Sequence, residues 1–504
     1  MPAVNIISLN GGASSAHSNF LSVNLQLAGN SAVSSFCLKY NTITPPSASD
    51  SCWVSVSSWL AGSQTPSTSI TISGYSYELG NQAGSYTVYA WAEDQAGNIS
   101  SLSNSGNGTS GIDMATITYN PSPSVTACPT GTVNVTCAGD GVTDVTSCLN
   151  NFINGPNSTI VFPANQKFLV SGQIWVPANK TLIGNTSTLL SKSSTVTLAI
   201  GGNSISVCGL NIQQQGTPPN APIVNITSSI KNISFKNSTI TGSAPESLYI
   251  SPGGPTNNVL IQGNTFSGAG YGILLNTGNQ GTNLSNYANN ITIDNNTFSN
   301  LSSDAIEINS PVMNMSNGSK TPGVAVQNIA ITNNNITNSG EFGIGFAGGI
   351  NSIISGNTIS GTGTPAGSAN VQGIHIEDYA SNVVVLGNNI SNTASGKYHD
   401  AIYVTQSDHI HVYQNTVNYP GDVGIALYGN NSNGMSVLAA NNISNSPSSA
   451  IYVGYSPSIY VGPLQGYAGN TTQNSANLGN QPGQGSILLD SGTTGSVITG
   501  NSGN

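Results

Sequence analysis

A nine-residue phrase returns eight times between residues 232 and 443, and it limits what this chain can fold into more than any other feature. It reads NISFKNSTI from Asn232, NVLIQGNTF from Asn258, NITIDNNTF from Asn290, NIAITNNNI from Asn328, NSIISGNTI from Asn351, NVVVLGNNI from Asn382, HIHVYQNTV from His409 and MSVLAANNI from Met435. The starts lie 23 to 38 residues apart, which suits stacked coils with unequal loops rather than identical cassettes. Within each copy the apolar residues alternate, as in Ile291 and Ile293 or Val383 and Val385, so one side faces a core and the other solvent.

A second strand follows each phrase: SLYIS, GILLN, AIEIN, GIGFA, GIHIE, AIYVT, GIALY, AIYVG and SILLD, between residues 247 and 490. The period is two rather than 3.6, which excludes a helical repeat and predicts an all-β solenoid with two or more strands per coil. Two residues before the last apolar residue of the phrase stand Asn264, Asn296, Asn334, Asn357, Asn388, Asn415 and Asn441. Asparagine tolerates tight turns, and its amide both donates and accepts, so this column predicts an internal ladder from coil to coil.

With these strands in place, the sequence resembles the right-handed parallel β-helices of the pectate-lyase-like superfamily, the pectin lyase fold. GDGVTDVTSCLNNFING, residues 139–155, is similar to the segment that caps the first coil in secreted members, and residues 158–185 are similar to their opening strands. Thr143 or Asp144 is placed to N-cap a short helix carrying Val145, Leu149 and Phe152, which would plug the open end of the interior. The likeness runs from about Ala127 to Asn504. It implies the fold and leaves the chemistry open, because members include lyases, hydrolases, epimerases, tail spikes and adhesins.

Residues 1–119 differ in kind. Runs such as FLSVNLQLAG, SITISGYSYEL and YTVYAWAEDQAGN, separated by Ser, Gly and Asn turns, predict a small antiparallel sandwich. The last of them resembles the penultimate strand and turn of bacterial immunoglobulin-like modules. The expected organisation is an immunoglobulin-like β-sandwich over residues 1–119, a Pro- and Ser-rich linker over 120–127, and the parallel β-helix with its capping segment over 128–504.

Charged residues make up 5% of the chain and arginine is absent, which argues against a nucleic-acid partner, since phosphate contacts need a basic patch. No segment approaches the roughly 20 apolar residues of a membrane span. MPAVNIISLNGG lacks the charged start and apolar run of a signal peptide. Six cysteines, Cys37, Cys52, Cys128, Cys137, Cys148 and Cys208, lack zinc spacing. Cys37 with Cys52 would close a loop in the sandwich, and the other four would staple the start of the solenoid in an order left open; buried free thiols are the alternative. Disulfides imply an oxidising, extracellular or cell-surface address. Asn-x-Ser/Thr acceptors outside the phrase, including Asn98, Asn107, Asn134, Asn157, Asn225, Asn283, Asn314 and Asn470, are the better glycan candidates.

Ionisable side chains are scarce, so their clustering between residues 304 and 411 carries weight: Asp304, Glu307, Glu341, His375, Glu377, Asp378, His399, Asp400, Asp408, His409 and His411. Strand parity sends Glu307 outward from AIEIN, and His375 with Glu377 outward from GIHIE. Between those coils GIGFA presents only Gly345 and Ala347, a floor without side chains. Coils are about 4.8 Å apart, so Glu307 and Glu377 start near 10 Å, closer to the spacing of inverting than of retaining glycosidases. They are the expected acid and base, with His375 tuning Glu377 and Asp304 beside them. Tyr403, one coil on, offers a stacking surface for a sugar; Asp378 and Asp400 complete the expected binding set.

Loops 310–327 and 361–369 would form walls. Parity places His409 and His411 on another face, so no metal site from the histidines is expected. Calcium at Glu377 and Asp378 would need six or more oxygens, and no cofactor is assigned. As outward residues, Glu307 and Glu377 should be replaceable without loss of stability, and a charge at Ala347 should be mild.

Asp304 followed by Ala-Ile-Glu-Ile is loosely similar to the Asn-Thr-Asp-Gly segment of polygalacturonase-like hydrolases. The adjacent double aspartate, the Gly-His-Gly segment and the Arg-Ile-Lys segment of that family are missing, and a lyase with an arginine base is excluded. Asp304, Asp400 and Asp422 have a structural role open to them as turn caps. Two function classes therefore stand: an extracellular polysaccharide-active enzyme, most naturally a carboxylate-driven hydrolase, and a glycosylated surface adhesin or stalk. Either implies a polysaccharide or cell-surface glycan as partner.

Overall fold

The computed structural model describes all residues except 1, 10–14, 17–19, 57–66, 81, 103–112, 120–126, 193–194, 216–219, 228, 252–253, 278–286, 311, 315–318, 322–325, 364–369, 431–435, 464–466, 477–482, 491–492, 494 and 504. Most of the expected linker and of the 361–369 wall, and half of the 310–327 wall, lie outside the described residues.

From residue 140 onward the chain forms three long parallel sheets, of 13, 14 and 12 strands among the described residues, and each coil visits them in that order. Thr256–Gln262, Thr265–Ser267 and Tyr271–Asn276 are one such coil. The nine-residue phrase is therefore two strands and a corner. The left-handed backbone at that corner belongs to the residue before the ladder asparagine: Gly263, Asn295, Asn333, Gly356, Gly387, Gln414 and Ala440 all have positive φ. Gly and Asn dominate there because they reach this region at least cost.

The ladder asparagine does other work. Asn334 Nδ2 donates to Ile293 O and to Asn357 Oδ1, and Asn357 repeats the pattern with Ile331 O and Asn388 Oδ1, at 2.9–3.0 Å. Asn470 and Asn501 extend the column beyond the expected set. Asn470 is wholly buried, so the Asn470 acceptor is not a surface sequon, whereas Asn98, Asn134 and Asn157 are exposed. The interior is filled by stacked Ile, Val, Leu and Phe, including Phe266 on Phe298 at 4.9 Å.

The helix Thr146–Asn154 caps the first coil, but Leu149 and Ile153 are its fully buried residues while Phe152 is half-buried. Val145 takes the N-cap position, and the Asp144 carboxylate accepts the Thr146 N–H from outside it. Bridges join Cys128 to Cys208, Cys137 to Cys148 and Cys37 to Cys52, which removes the free-thiol alternative.

The strands before residue 120 make a three-stranded sheet, Ala3–Leu9, Phe20–Ala28 and Ser69–Glu78, and a five-stranded one around Gly84–Asp94. Phe36 and Tyr75 meet edge to face at 4.8 Å in their shared core. That core includes Tyr413, Val437 and Ala439 from the outward face of the 13-stranded sheet, with Val384, Leu386, Tyr460 and Tyr467 packed against it. The outward side of the phrase is thus covered on these coils rather than solvated, because Val384, Leu386, Tyr413 and Val437 form an apolar patch across adjacent rungs. His411 is buried with them, its Nδ1 2.8 Å from the Tyr413 hydroxyl.

Candidate functional site

Register on the 12-stranded sheet aligns one outward column, Glu307, Gly345, His375, Tyr403, Ala426, Tyr452 and Leu488. A second column holds Asn309, Ala347 and Glu377, then Thr405, Tyr428 and Gly454. The expected inward and outward parity holds throughout this stretch.

At the Glu307 end, outward does not mean exposed. Glu307 and His375 are each 8% exposed and Ala347 is 2% exposed. The Glu307 carboxyl lies over Gly345, where a β-carbon would otherwise sit, with the Phe342 ring beside it. Its Oε2 is shielded and has no hydrogen-bond partner. Burial, and then the neighbouring Asp304 carboxyl, push Glu307 well above the usual carboxylate range. Asp304 accepts the Phe342 N–H at 2.8 Å and is itself pushed up to about 7, chiefly by burial. The two carboxyls interact and titrate as a pair, both held above the ordinary carboxylate range.

His375 is wedged between Phe342 and Tyr403, with ring centroids 4.7 and 5.2 Å away, and burial lowers it to about 4. Its Nε2 lies 3.8 Å from Glu377 Oε2. That approach would be an ion pair only with a protonated ring, so at neutral pH it is a contact between a neutral imidazole and a carboxylate. Any tuning of Glu377 by His375 titration belongs near pH 4, not at the ordinary histidine range.

From His375 toward the C-terminus the same face opens into a groove of about 720 Å³. Its floor carries His375, Tyr403, Ala426 and Tyr452; Glu377, Thr405, Tyr428, Tyr455 and Asp490 line one side, and Gln372, Tyr398, Asp400, Asp422 and Ser449 the other. Tyr428 stacks near Tyr452 at 6.5 Å and meets Tyr455 edge-on at 5.5 Å. Tyr452 donates its hydroxyl to Asp490 at 3.0 Å. Asp400 accepts the Val423 N–H at 3.0 Å and is pushed up to about 7 by burial. Lys397 Nζ sits 4.6 Å over the Tyr398 ring.

The groove thus brings together His375, Glu377, Asp400 and Tyr403 of the expected set. Glu307, Asp304, Gly345 and Ala347 lie beyond its N-terminal end. Asp378 does not line it; it is buried in a left-handed turn after Glu377. Tyr428, Tyr452, Tyr455, Asp422 and Asp490 are additions. The alternation of GIALY and AIYVG already marks Tyr428 and Tyr452 as outward. Among the described residues no group of three or more His, Cys, Asp or Glu side chains is arranged to hold a metal ion.

A family model described as the right-handed β-helix region matches residues 253–442. Among solved structures, the A-module of the mannuronan C-5 epimerase AlgE6 from Azotobacter vinelandii matches at a TM-score of 0.50 and 14% identity, covering 73% of this chain and 100% of that one. The Streptococcus pneumoniae surface adhesin PfbA matches at 0.46 and 16%, covering 73% and 91%. A family 28 exopolygalacturonase from Yersinia enterocolitica matches at 0.44 and 11%, covering 100% and 99%. Comparison with curated protein sequences finds no match. At these identities the likeness is one of fold, a right-handed parallel β-helix.

Proposed function

We propose that this right-handed parallel β-helix binds a polysaccharide lengthwise in the groove of its 12-stranded sheet, outside the cell or on its surface. The observation that carries this reading is the run of Tyr403, Tyr428, Tyr452 and Tyr455 over successive coils, flanked by carboxylates. Tyrosine faces stack on the apolar faces of sugar rings, and carboxylates accept their hydroxyls. Three disulfides support an oxidising location. The sandwich packs on a few neighbouring strands of the 13-stranded sheet and so occupies a different face from the groove.

A second reading, glycan hydrolysis, is favoured by one feature: burial favours the protonated form of Glu307 at the end of the groove while Glu377 is half-buried within it, the division of labour of an acid and a base. Against it stands the shielding of the Glu307 carboxyl, so turnover would require that end to open.

The test is calorimetric titration with neutral and charged polysaccharides, followed by a reducing-end assay. Binding that falls about tenfold or more in Tyr428→Ala and Tyr452→Ala, at unchanged melting temperature, is the expected result. Undiminished binding in both variants removes the groove as the site. Release of reducing ends that disappears in Glu377→Gln selects the enzyme, and binding without release selects the adhesin or stalk.

A further inference from the structure

The Asp400 side of the groove contains polar atoms with nothing to bond. Gln372 is 1% exposed; its Nε2 donates to the Tyr398 carbonyl at 2.6 Å, which leaves Oε1 shielded and unpartnered. Ser449, also 1% exposed, has an unpartnered Oγ. Gln372 and Asp400 stand on adjacent coils, each two residues ahead of the register-paired Ile374 and Ile402; Val423 takes the next place in the stack and Ser449 the one after it. An edge that buries an unpartnered amide oxygen and a carboxyl together is short of donors. The wider lining has the same bias, with Glu377, Asp422 and Asp490 against one cation, Lys397, that rests on Tyr398.

Resting on the glycan-binding reading, we propose that the groove selects a glycan that carries free amino groups, with one ammonium seated against Asp400 and the Gln372 Oε1 of the adjoining coil. An ammonium brings three donors and no acceptor, which is what this edge lacks. A polyuronate brings carboxylates into a carboxylate-lined groove and is repelled. Neutral sugars lie between the two.

The experiment titrates the full chain with oligomers of glucosamine, N-acetylglucosamine, glucose and galacturonate of equal length, at low salt and near-neutral pH. The glucosamine oligomer is expected to bind about tenfold or more tightly than its acetylated counterpart, the value of one charge-assisted contact. Asp400→Asn, which keeps the acceptor for Val423, should bring that ratio toward one. Equal or tighter binding of the acetylated oligomer, or of galacturonate, overturns the amine proposal and leaves the glycan reading standing. No binding of any of the four overturns both.

Discussion

The Glu307 carboxyl occupies the space that a β-carbon on Gly345 would need. A glycine in mid-strand normally weakens a sheet, but here it lets the acid of one coil lie flat over the next. Gly345→Ala should therefore destabilise by about 1–3 kcal/mol, since the displaced carboxyl has Phe342 beside it. Glu307→Ala alone should also destabilise, yet the double variant should lose clearly less than the sum. Additive losses in urea melts would show that the two residues do not compete for this space.

Ala347 gives the second prediction. Its outward position suggests tolerance, but it is 2% exposed and shares its column with Glu377. Ala347→Asp should bury an unpaired carboxylate beside a second one and cost several kcal/mol, roughly as much as Ile374→Asp in the interior. A melting temperature within a few degrees of the parent would restore the solvent-exposed description of this floor.

The asparagine ladder gives the third. Asn357 accepts from the N–H and side-chain amide of Asn334 and donates to Ile331 O and Asn388 Oδ1, all without access to water. Asn357→Ala strands partners on both adjoining coils, so a loss of about 2–4 kcal/mol is expected. Asn357→Asp should be at least as damaging, because it removes the donor and adds a charge. A loss below about 1 kcal/mol in either would mean that buried water replaces the amide.

The coils, their parity and this ladder were legible because each rests on local signals: alternation, a corner glycine or asparagine, and one amide per phrase. What escaped depends on residues far apart in the chain. Val384, Leu386 and Tyr413 look like the solvent side of alternating strands, and only the sandwich strands explain their burial. The burial of Glu307 follows from Phe342 and from the missing side chain at Gly345, a coil away. Tyr428 and Tyr452 are outward by alternation, but the groove they line exists only where several coils align, which no single phrase encodes. Asp304 and Asp400 occupy equivalent positions, and each accepts the backbone N–H of the next coil, so part of the charge cluster is structural.

The buried ionisable groups set the pH dependence of stability. Asp304 and Asp400, both pushed up to about 7, and Glu307, raised well above its ordinary range, favour the protonated form in the folded chain more than in the unfolded one. The contribution of the two aspartates is full below the ordinary carboxylate range and is lost as pH rises through about 7, and Glu307 acts in the same sense. His375, lowered to about 4, and His411, lowered to about 3, act in the opposite sense. Their contribution is full above 6.5 and is lost as pH falls toward those values. Above the ordinary carboxylate range and below about pH 6.5 the raised carboxyls outweigh the two imidazoles, so stability rises gently with acidification. Lower still the trend reverses, because hydrogen bonds hold Asp94, Asp140 and Asp144 down at about 2, and their contribution fades as they protonate. The melting temperature should therefore peak near pH 4–5, and Asp400→Asn should flatten the rise between pH 7 and 5. A melting temperature higher at pH 7 than at pH 5 would show that the histidines dominate, or that Asp304 and Glu307 ionise in place.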